Sequence, residues 1–410
     1  MKAYSSILIN EDFKWLVLSH VFVTFGNSVR SIVIPWIVEL LGGTPFELGL
    51  AFAFSVIDVL LFPIVGCVVD VVSRKRVMVF AEFTRNMLYL SIAYLYLTNA
   101  LTIYRLYLII ILSSFLMGLF YNARFAAIPT IVNVDELDKA NSIIFSLYSI
   151  VGIASILLSG ILTTIISAGE LILLASALGI IGSIVLLPIK LDNRRTDNMW
   201  VCVKNVKREF KVAIDSIRGT IVKYLIITGV LINLPAASFT LLLATIGLKK
   251  IGNPLAYSIF LSSILIGDIF GNWLQNKVSW SWKRKYYRGI ALTGFSCIIL
   301  GVSNLILANS FSISLNLYIA ILTLLIAIIG LTKPFFNVPS NSLIQSSVND
   351  NVRGKVATFS NSLFDMSFIP SYIITGWLLL YLSPFDLFIV YGLILIAIAK
   401  LTKKLVNKHF

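Results

Sequence analysis

Twelve long apolar runs, each closed by glycine, proline or charge, constrain this chain more than any other feature of its sequence. They fall at 13–39, 46–69, 77–97, 105–125, 141–166, 170–189, 223–247, 254–276, 286–307, 313–333, 355–381 and 385–402. About 20 apolar residues make a helix long enough to cross a bilayer. Lipid offers no partner to a free backbone N–H or C=O, so runs this long and continuous read as helices and not as strands. The chain is 58% hydrophobic and only 13% charged, against about 25% charged in a soluble domain. That inventory excludes the two or three soluble domains that 410 residues would otherwise suggest. The predicted fold class is an all-α membrane protein with twelve transmembrane helices in two pseudo-symmetric six-helix bundles.

The net charge of +14 would point to nucleic acid in a soluble protein. Here the basic residues sort by side of the membrane, so a nucleic-acid partner is not expected. The loops after spans 1, 3, 5, 9 and 11 hold no Lys or Arg, although Arg105 opens span 4 and Lys249 and Lys250 follow span 7. The opposite side holds Arg74, Lys75 and Arg76, then Arg124 and Lys139, then Lys283, Arg284, Lys285 and Arg288. Arg353, Lys355 and the tail lysines Lys400, Lys403, Lys404 and Lys408 lie on that side as well. By the positive-inside rule both termini are expected in the cytoplasm of a multi-pass plasma-membrane protein. The first twelve residues are short and polar, and no cleavable signal peptide is expected there.

Between spans 6 and 7 the segment from Lys190 to Lys223 carries nine Lys and Arg, Arg194 and Arg195 among them. Within it, Met199 to Ile217 alternates apolar and basic residues as an amphipathic helix on anionic lipid does. The expected organisation is a six-helix bundle over 1–190, a basic cytoplasmic linker over 191–222, and a second bundle with a basic tail over 223–410. An internal repeat supports it. Phe120-Tyr121-Asn122 ends span 4 and Phe335-Phe336-Asn337 ends span 10, 215 positions later, and Asp135 maps onto Asp350 at the same offset. Gly66 and Gly271 close spans 2 and 8 at an offset of 205. Repeated halves around a midplane site are a transporter architecture.

The loop between spans 2 and 3 reads Gly66-Cys67-Val68-Val69-Asp70-Val71-Val72-Ser73-Arg74-Lys75-Arg76. Gly66 is read as the side-chain-free point where two helices approach closely. Asp70 stands four residues before Arg74, the spacing of a helical ion pair, and its carboxylate could also face the N-terminus of span 11 near Lys355. This loop resembles the GxLaDrxGRRR signature of the major facilitator superfamily, with Ser73 where the family usually has glycine. The resemblance implies a conformational latch at Gly66, Asp70, Arg74 and Arg76. Further stretches resemble the macrolide-efflux-like branch of that superfamily. They are Phe25-Gly26-Asn27-Ser28 with Thr44-Pro45-Phe46-Glu47-Leu48-Gly49, Glu82-x-x-Arg85, Phe125-Ala126-Ala127-Ile128-Pro129 and Asn351-Val352-Arg353-Gly354-Lys355. The branch implies export of amphipathic small molecules, drug or macrolide-like, in exchange for protons. Two of its features are absent: Ser113 to Met117, the residues just before Gly118 in span 4, include no base, and neither Gly152 nor Gly160 in span 5 is followed by proline.

An ionisable group at bilayer depth is a functional candidate by default, because burying it is costly unless it is paired or hydrated. Arg30 in span 1, Asp58 in span 2, Asp268 in span 8 and Asp365 in span 11 are therefore the candidates for proton coupling. Asp58 is expected to carry the proton, with Arg30 beside it as its modulator. Glu82 and Arg85, three apart in span 3, are expected to form a structural ion pair. The histidines are His20 and His409, and His20, about two turns into span 1, reads as a hydrogen-bonded packing residue. Phe25, Asn27, Trp36, Asn233 and Phe239 are the candidates for lining a substrate cavity, while Ser155 and Ser159 read as packing. The three cysteines have no metal-ligand spacing and their odd number suggests no disulfide framework. No metal site, cofactor or catalytic residue is expected, and a P-loop is absent.

The expectation is thus a secondary active exporter, not an enzyme, acting as a monomer on a small-molecule substrate with protons as the coupling ion. An uptake carrier or facilitator for a small metabolite is the alternative on the same fold. A membrane-embedded lipid-modifying enzyme is the remote one. Its only acidic cluster would be Asp135, Glu136 and Asp138 in a loop.

Overall fold

The computed structural model describes residues 10–191, 199–308, 314–348 and 350–408. Arg194, Arg195 and His409 lie outside the described residues. The described chain forms helices at all twelve predicted spans. Span 1 is Glu11–Leu40, span 3 Arg74–Leu97, span 4 Ile103–Ile131, span 5 Leu137–Leu162 and span 6 Ala168–Ile184. Span 8 is Pro254–Lys277, span 9 Trp282–Ala308 and span 12 Pro384–Lys408. Among the described residues eight spans are long and apolar enough to cross a membrane on those criteria alone. The other four, spans 2, 3, 6 and 11, are broken, charged or short.

The helix starts carry side chains that satisfy the orphan N–H groups of a first turn. Asn10 accepts from the Phe13 amide at 3.1 Å. Ser167 and Glu170 form a reciprocal capping box at the start of span 6. Four spans are discontinuous. Span 2 runs Pro45–Ser55, then a 3₁₀ turn Ile57–Leu61, then Phe62–Val71. Span 7 runs Ile221–Ala237, Phe239–Ala244 and a π-helical turn Thr245–Lys250. Span 10 breaks between Leu315–Thr332 and Pro334–Ser346, and span 11 between Asp350–Met366 and Phe368–Leu378. Pro63, Pro235 and Pro334 stand at or near three of these breaks, where the missing N–H costs a helix one rung.

Spans 4 and 10 run further than their apolar runs suggest. Phe120-Tyr121-Asn122 therefore lies inside span 4, and Phe335-Phe336-Asn337 opens the second segment of span 10. The helix Met199–Ile217 has the bounds read from its alternation. Its apolar side is covered by protein toward its C-terminal end: Ala213 and Ile217 are buried, and the Phe210 ring lies 5.7 Å from that of Phe359.

The chain divides into two compact units, Met1–Gly42 with Phe54–Val206, and Gly43–Ala53 with Lys207–Phe410. The first half of span 2 thus joins the second unit, a division that equal six-span halves did not anticipate. Glycine is the reason. A Cβ on Gly49 would stand 2.7 Å from the Tyr372 carbonyl and 3.0 Å from the Gly376 Cα, so span 11 packs on bare backbone there. The Phe52 and Tyr372 rings, 5.3 Å apart, extend the contact.

Within the first unit, Phe13, Leu16, Met78, Ala81, Phe120, Ala123 and Leu186 share one core. Within the second, Gly271 and Gly330 let spans 8 and 10 touch through their backbones. A Cβ would collide with the Leu331 carbonyl in the first case and with the Ile264 carbonyl in the second. Gly66, the repeat mate of Gly271, makes no such approach: no described atom lies within 4 Å of the place its Cβ would take. The close contact expected at Gly66 belongs to Gly271 instead. Cys67 is disulfide-bonded, against the expectation from the odd cysteine count, and Cys297 is a free buried thiol.

Candidate functional site in the first unit

Span 3 supplies the centre. Glu82 and Arg85 lie on one face by their i,i+3 spacing, and their side chains are 0% and 1% exposed. Arg85 donates to both carboxylate oxygens, Nη2 at 2.8 Å from each and Nε at 3.1 Å from Oε2. A two-pronged pair of this kind is the geometry in which a buried ion pair offsets its own desolvation. Asn86 completes the cluster by donating from Nδ2 to Glu82 Oε1 at 2.8 Å.

Arg30 enters from span 1 and is buried. Its Nη1 donates to Asn27 Oδ1 at 2.9 Å, and its Nη2 to the Ala175 carbonyl at 3.2 Å and to Asn86 Oδ1. The guanidinium sits 4.2 Å from the Tyr89 ring centroid, a placement favoured by the ring quadrupole. Asn27 ties the two arginines together, because its Oδ1 also accepts from Arg85 Nη1 at 2.8 Å. Small residues make the room: Gly26 lies against the Arg30 guanidinium, and Gly179 against the Asn86 amide. The Arg30–Asp58 pair expected from the sequence is therefore not the arrangement around Arg30, whose carboxylate neighbour is Glu82. Asp58 sits on the 3₁₀ turn of span 2, partly exposed. It rests against span 4, where a Cβ on Gly118 would meet Asp58 Oδ2 at 2.7 Å.

The polar network continues into a cavity of about 890 Å³ between spans 1, 4 and 5. Asn27 Nδ2 donates to the Tyr121 hydroxyl at 3.2 Å, and Tyr121 and Met117 are wall residues of the cavity. Arg124, His20, Asn141, Ser142, Phe145 and Tyr148 line it further. Arg124 is hydrogen-bonded to His20 Nδ1 and lies 4.6 Å from the Tyr121 ring centroid. The Tyr148 ring stacks with His20 at 6.2 Å. Arg124, which falls at the end of its apolar run and counts there as a loop charge, lies a turn and more inside span 4. A lone arginine between Tyr121 and Phe125 in an apolar run was the available signal. His20 is buried, as a packing residue would be, yet it also serves the cavity.

The remaining candidates are dispersed. Asp70 and Arg74 are on different helices, because Val72 is extended and Ser73 caps a new one, so no continuous helix gives them i,i+4 register. The Asp70 side chain lies outside the described ones. Arg74 donates to the Ala126 carbonyl at 2.8 Å instead, and Arg76 is exposed. In the second unit, Asp268 is half-buried with Lys333 as its electrostatic neighbour. Asp365 is exposed at the break in span 11. Asn233 donates to the Phe364 carbonyl at 3.3 Å. Phe239 is buried against Phe388, with rings 5.5 Å apart, and so belongs to the core and not to a cavity wall. Phe25 and Trp36 are half-buried on span 1.

The sequence profile of the Major Facilitator Superfamily matches residues 16–372. An uncharacterized MFS-type transporter of Bacillus subtilis (strain 168), YvqJ, is 21% identical over 384 residues, covering 91% of this chain and 87% of that protein. Among solved structures, the nucleoside transporter NupG superposes with a TM-score of 0.70 at 14% identity, covering 96% of this chain and 98% of that one. The POT family transporter PepTSo superposes with a TM-score of 0.71 at 11% identity, covering 98% of each chain. A POT family transporter in complex with a thioalcohol conjugated peptide gives a TM-score of 0.72 at 14% identity, covering 97% of this chain and 96% of that one. Helices at the twelve spans, a profile match over most of the chain and fold neighbours that are transporters agree: the chain belongs to the major facilitator superfamily.

Proposed function

We propose that this protein is a secondary active transporter that exports amphipathic small molecules across the plasma membrane by alternating access, in exchange for protons. The cavity beside Arg124 supports this reading most directly. It joins aromatic walls at Tyr121, Phe125, Phe145 and Tyr148 to polar groups at Arg124, Asn141 and Ser142, the mixture that holds an amphipathic ligand. Its volume suits a drug-sized molecule. The lysine and arginine asymmetry supports cytoplasmic termini, and the motifs around Asn27, Glu82 and Arg353 support the macrolide-efflux-like branch. The transporter works as a monomer.

Asp58 is the proton carrier in this scheme. A carboxylate on a short non-α turn within a span sits where backbone groups are freed from the helix ladder and polar ligands gather. Gly66, Asp70, Arg74 and Arg76 act as the latch in the same cycle, with Arg74 held by the end of span 4 when the latch is set. Asp268, Asp365 and Arg30 are the further groups through which protonation is felt.

An uptake carrier or facilitator for a more polar solute is the second reading. It is favoured by Ser113, Ser114, Phe115, Leu116 and Met117 ahead of Gly118, a stretch with no base. Fold neighbours described as a nucleoside transporter and as a transporter in complex with a conjugated peptide favour it too. Proteoliposomes with an imposed pH gradient separate the two readings. Lipophilic cations, macrolides and amphipathic anions are offered to wild type and to Asp58→Asn. Gradient collapse by a compound in wild type alone is the expected result. Equilibration of a compound with no proton flux in either protein overturns proton exchange and leaves the facilitator.

A further inference from the structure

We infer that the cavity between spans 1, 4 and 5 selects amphipathic organic anions, a carboxylate carried on an aromatic or apolar body, and that Arg124 with His20 forms the anion-binding end. The inference rests on the reading of that cavity as the substrate site and adds the charge of its ligand.

The chemistry follows from which atoms are left over. Arg124 has only protons to offer, so in its hydrogen bond with His20 the Nδ1 atom accepts. The imidazole is therefore the tautomer with its proton on Nε2. That Nε2–H is buried and makes no close hydrogen bond, with the Ile144 carbonyl as its backbone neighbour. Arg124 Nε–H is likewise buried and without a partner. Both groups are donors, and the two side chains stand together in the cavity lining. The Arg124–His20 pair, with its one imidazole acceptor already used by Arg124, offers only donors, and the ligand that suits donors on adjacent side chains is one with two acceptor oxygens. A carboxylate supplies them, and an arginine fork matches it.

The surrounding charge agrees. Behind the Tyr121 wall the polar network holds two arginines, Arg30 and Arg85, against one carboxylate, Glu82. Arg124 adds a third cation on the cavity side. Asp138 is the acidic residue in the lining, and it lies at the rim on the first turn of span 5. The body of the ligand finds Phe125, Ile128, Phe145 and the Tyr148 ring stacked on His20. A cationic amphipath would meet guanidinium at the polar end and no buried carboxylate in the lining.

One scaffold in three charge states tests this on the purified full-length protein: 1-naphthoate, 1-naphthylmethanol and 1-naphthylmethylammonium, by equilibrium binding and by counterflow in proteoliposomes. The expected order is naphthoate first, bound at least about tenfold more tightly than either of the others, the worth of one charge-assisted bond. Arg124→Gln is expected to abolish that preference and Arg124→Lys to keep part of it. Ser142→Trp, which fills the cavity from its outer side, is expected to abolish binding of all three. Equal or tighter binding of the ammonium or the alcohol, still lost in Ser142→Trp, overturns the anion selectivity while the site stands. Binding that survives Ser142→Trp overturns the cavity as the substrate site. Absence of saturable binding by all three in wild type overturns the inference as stated. The wild-type charge series decides the selectivity even where a variant fails to fold.

Discussion

The Asn86 side chain occupies the space that a Cβ on Gly179 would need: its Cγ and Nδ2 each lie 2.5 Å from that position. Asn86 is the hinge of the buried network, donating to Glu82 and accepting from Arg30. Gly179→Ala is therefore expected to displace the amide and to leave Arg30 and Glu82 each short of a partner. Overpacking and an unmade buried hydrogen bond each cost about 1–3 kcal/mol. Thermal unfolding in detergent should show a clear loss for Gly179→Ala. Gly152→Ala should show almost none, because its nearest neighbour, Ser28 Oγ, stands 4.0 Å away.

Glu82 and Arg85 are expected to behave as one unit. Removing one partner of a buried, hydrogen-bonded pair strands the other and costs about 3–5 kcal/mol. Arg85→Met should be the more damaging change, because it also takes a donor from Asn27. The double variant Glu82→Gln/Arg85→Met should be less destabilised than the sum of the two single variants. Strict additivity in the double-mutant cycle would show that the pair is not coupled.

The spans and their order were legible because lipid demands about 20 apolar residues per crossing, and every run but the last, 385–402, reached that length. The site was only partly legible. Glu82 and Arg85 share a helix face, and spacing alone puts them together. Asn86 and Gly179 meet across two spans 93 positions apart in sequence, and no local pattern joins them. Arg124 was hidden by a boundary rule: a basic residue near the end of an apolar run counts as loop charge, but span 4 runs on to Ile131. The Asp70–Arg74 spacing carries no register of its own, since i,i+4 proximity needs one continuous helix and Ser73 starts another. The Arg30–Asp58 pair failed because adjacency of spans fixes neither depth nor facing, and Asn27 and Asn86 reach the guanidinium first.

Gly118 and Asp58 provide a test that depends on shape and not on charge. A Cβ at Gly118 would lie 2.7 Å from Asp58 Oδ2 and 3.3 Å from its Cβ, so Gly118→Ala forces the carboxylate aside. If Asp58 carries the proton, Gly118→Ala should shift the pH dependence of transport while Asp58 itself is intact. Asp58→Ala makes space for the new methyl, so the stability lost in Gly118→Ala should be partly recovered in the double variant, by about 0.5–3 kcal/mol of coupling. An unchanged pH profile in Gly118→Ala, measured with the same substrate as wild type, would separate Asp58 from proton movement.

The break in span 7 is held by hydroxyls, and its energetics should be those of polar glue in lipid. Ser238 follows Ala237 where the helix stops, and its Oγ lies 2.6 Å from both Ser371 Oγ and Thr375 Oγ1 on span 11. Ser371 Oγ donates in turn to the Leu234 carbonyl at 2.5 Å, and Thr375 Oγ1 meets the Tyr391 hydroxyl of span 12. Spans 7, 11 and 12 are thus joined by side chains that find no water in the bilayer. Interhelical hydrogen bonds of this kind average about 0.6 kcal/mol and reach about 1.7. Thr375→Val keeps the shape, removes the hydroxyl shared by two neighbours and should sit near the upper figure. Tyr391→Phe removes a terminal member and should sit near the lower one. Unfolding titrations of the two variants give the order directly. A larger loss for Tyr391→Phe than for Thr375→Val would mean that the hydroxyls do not act as a connected chain centred on span 11.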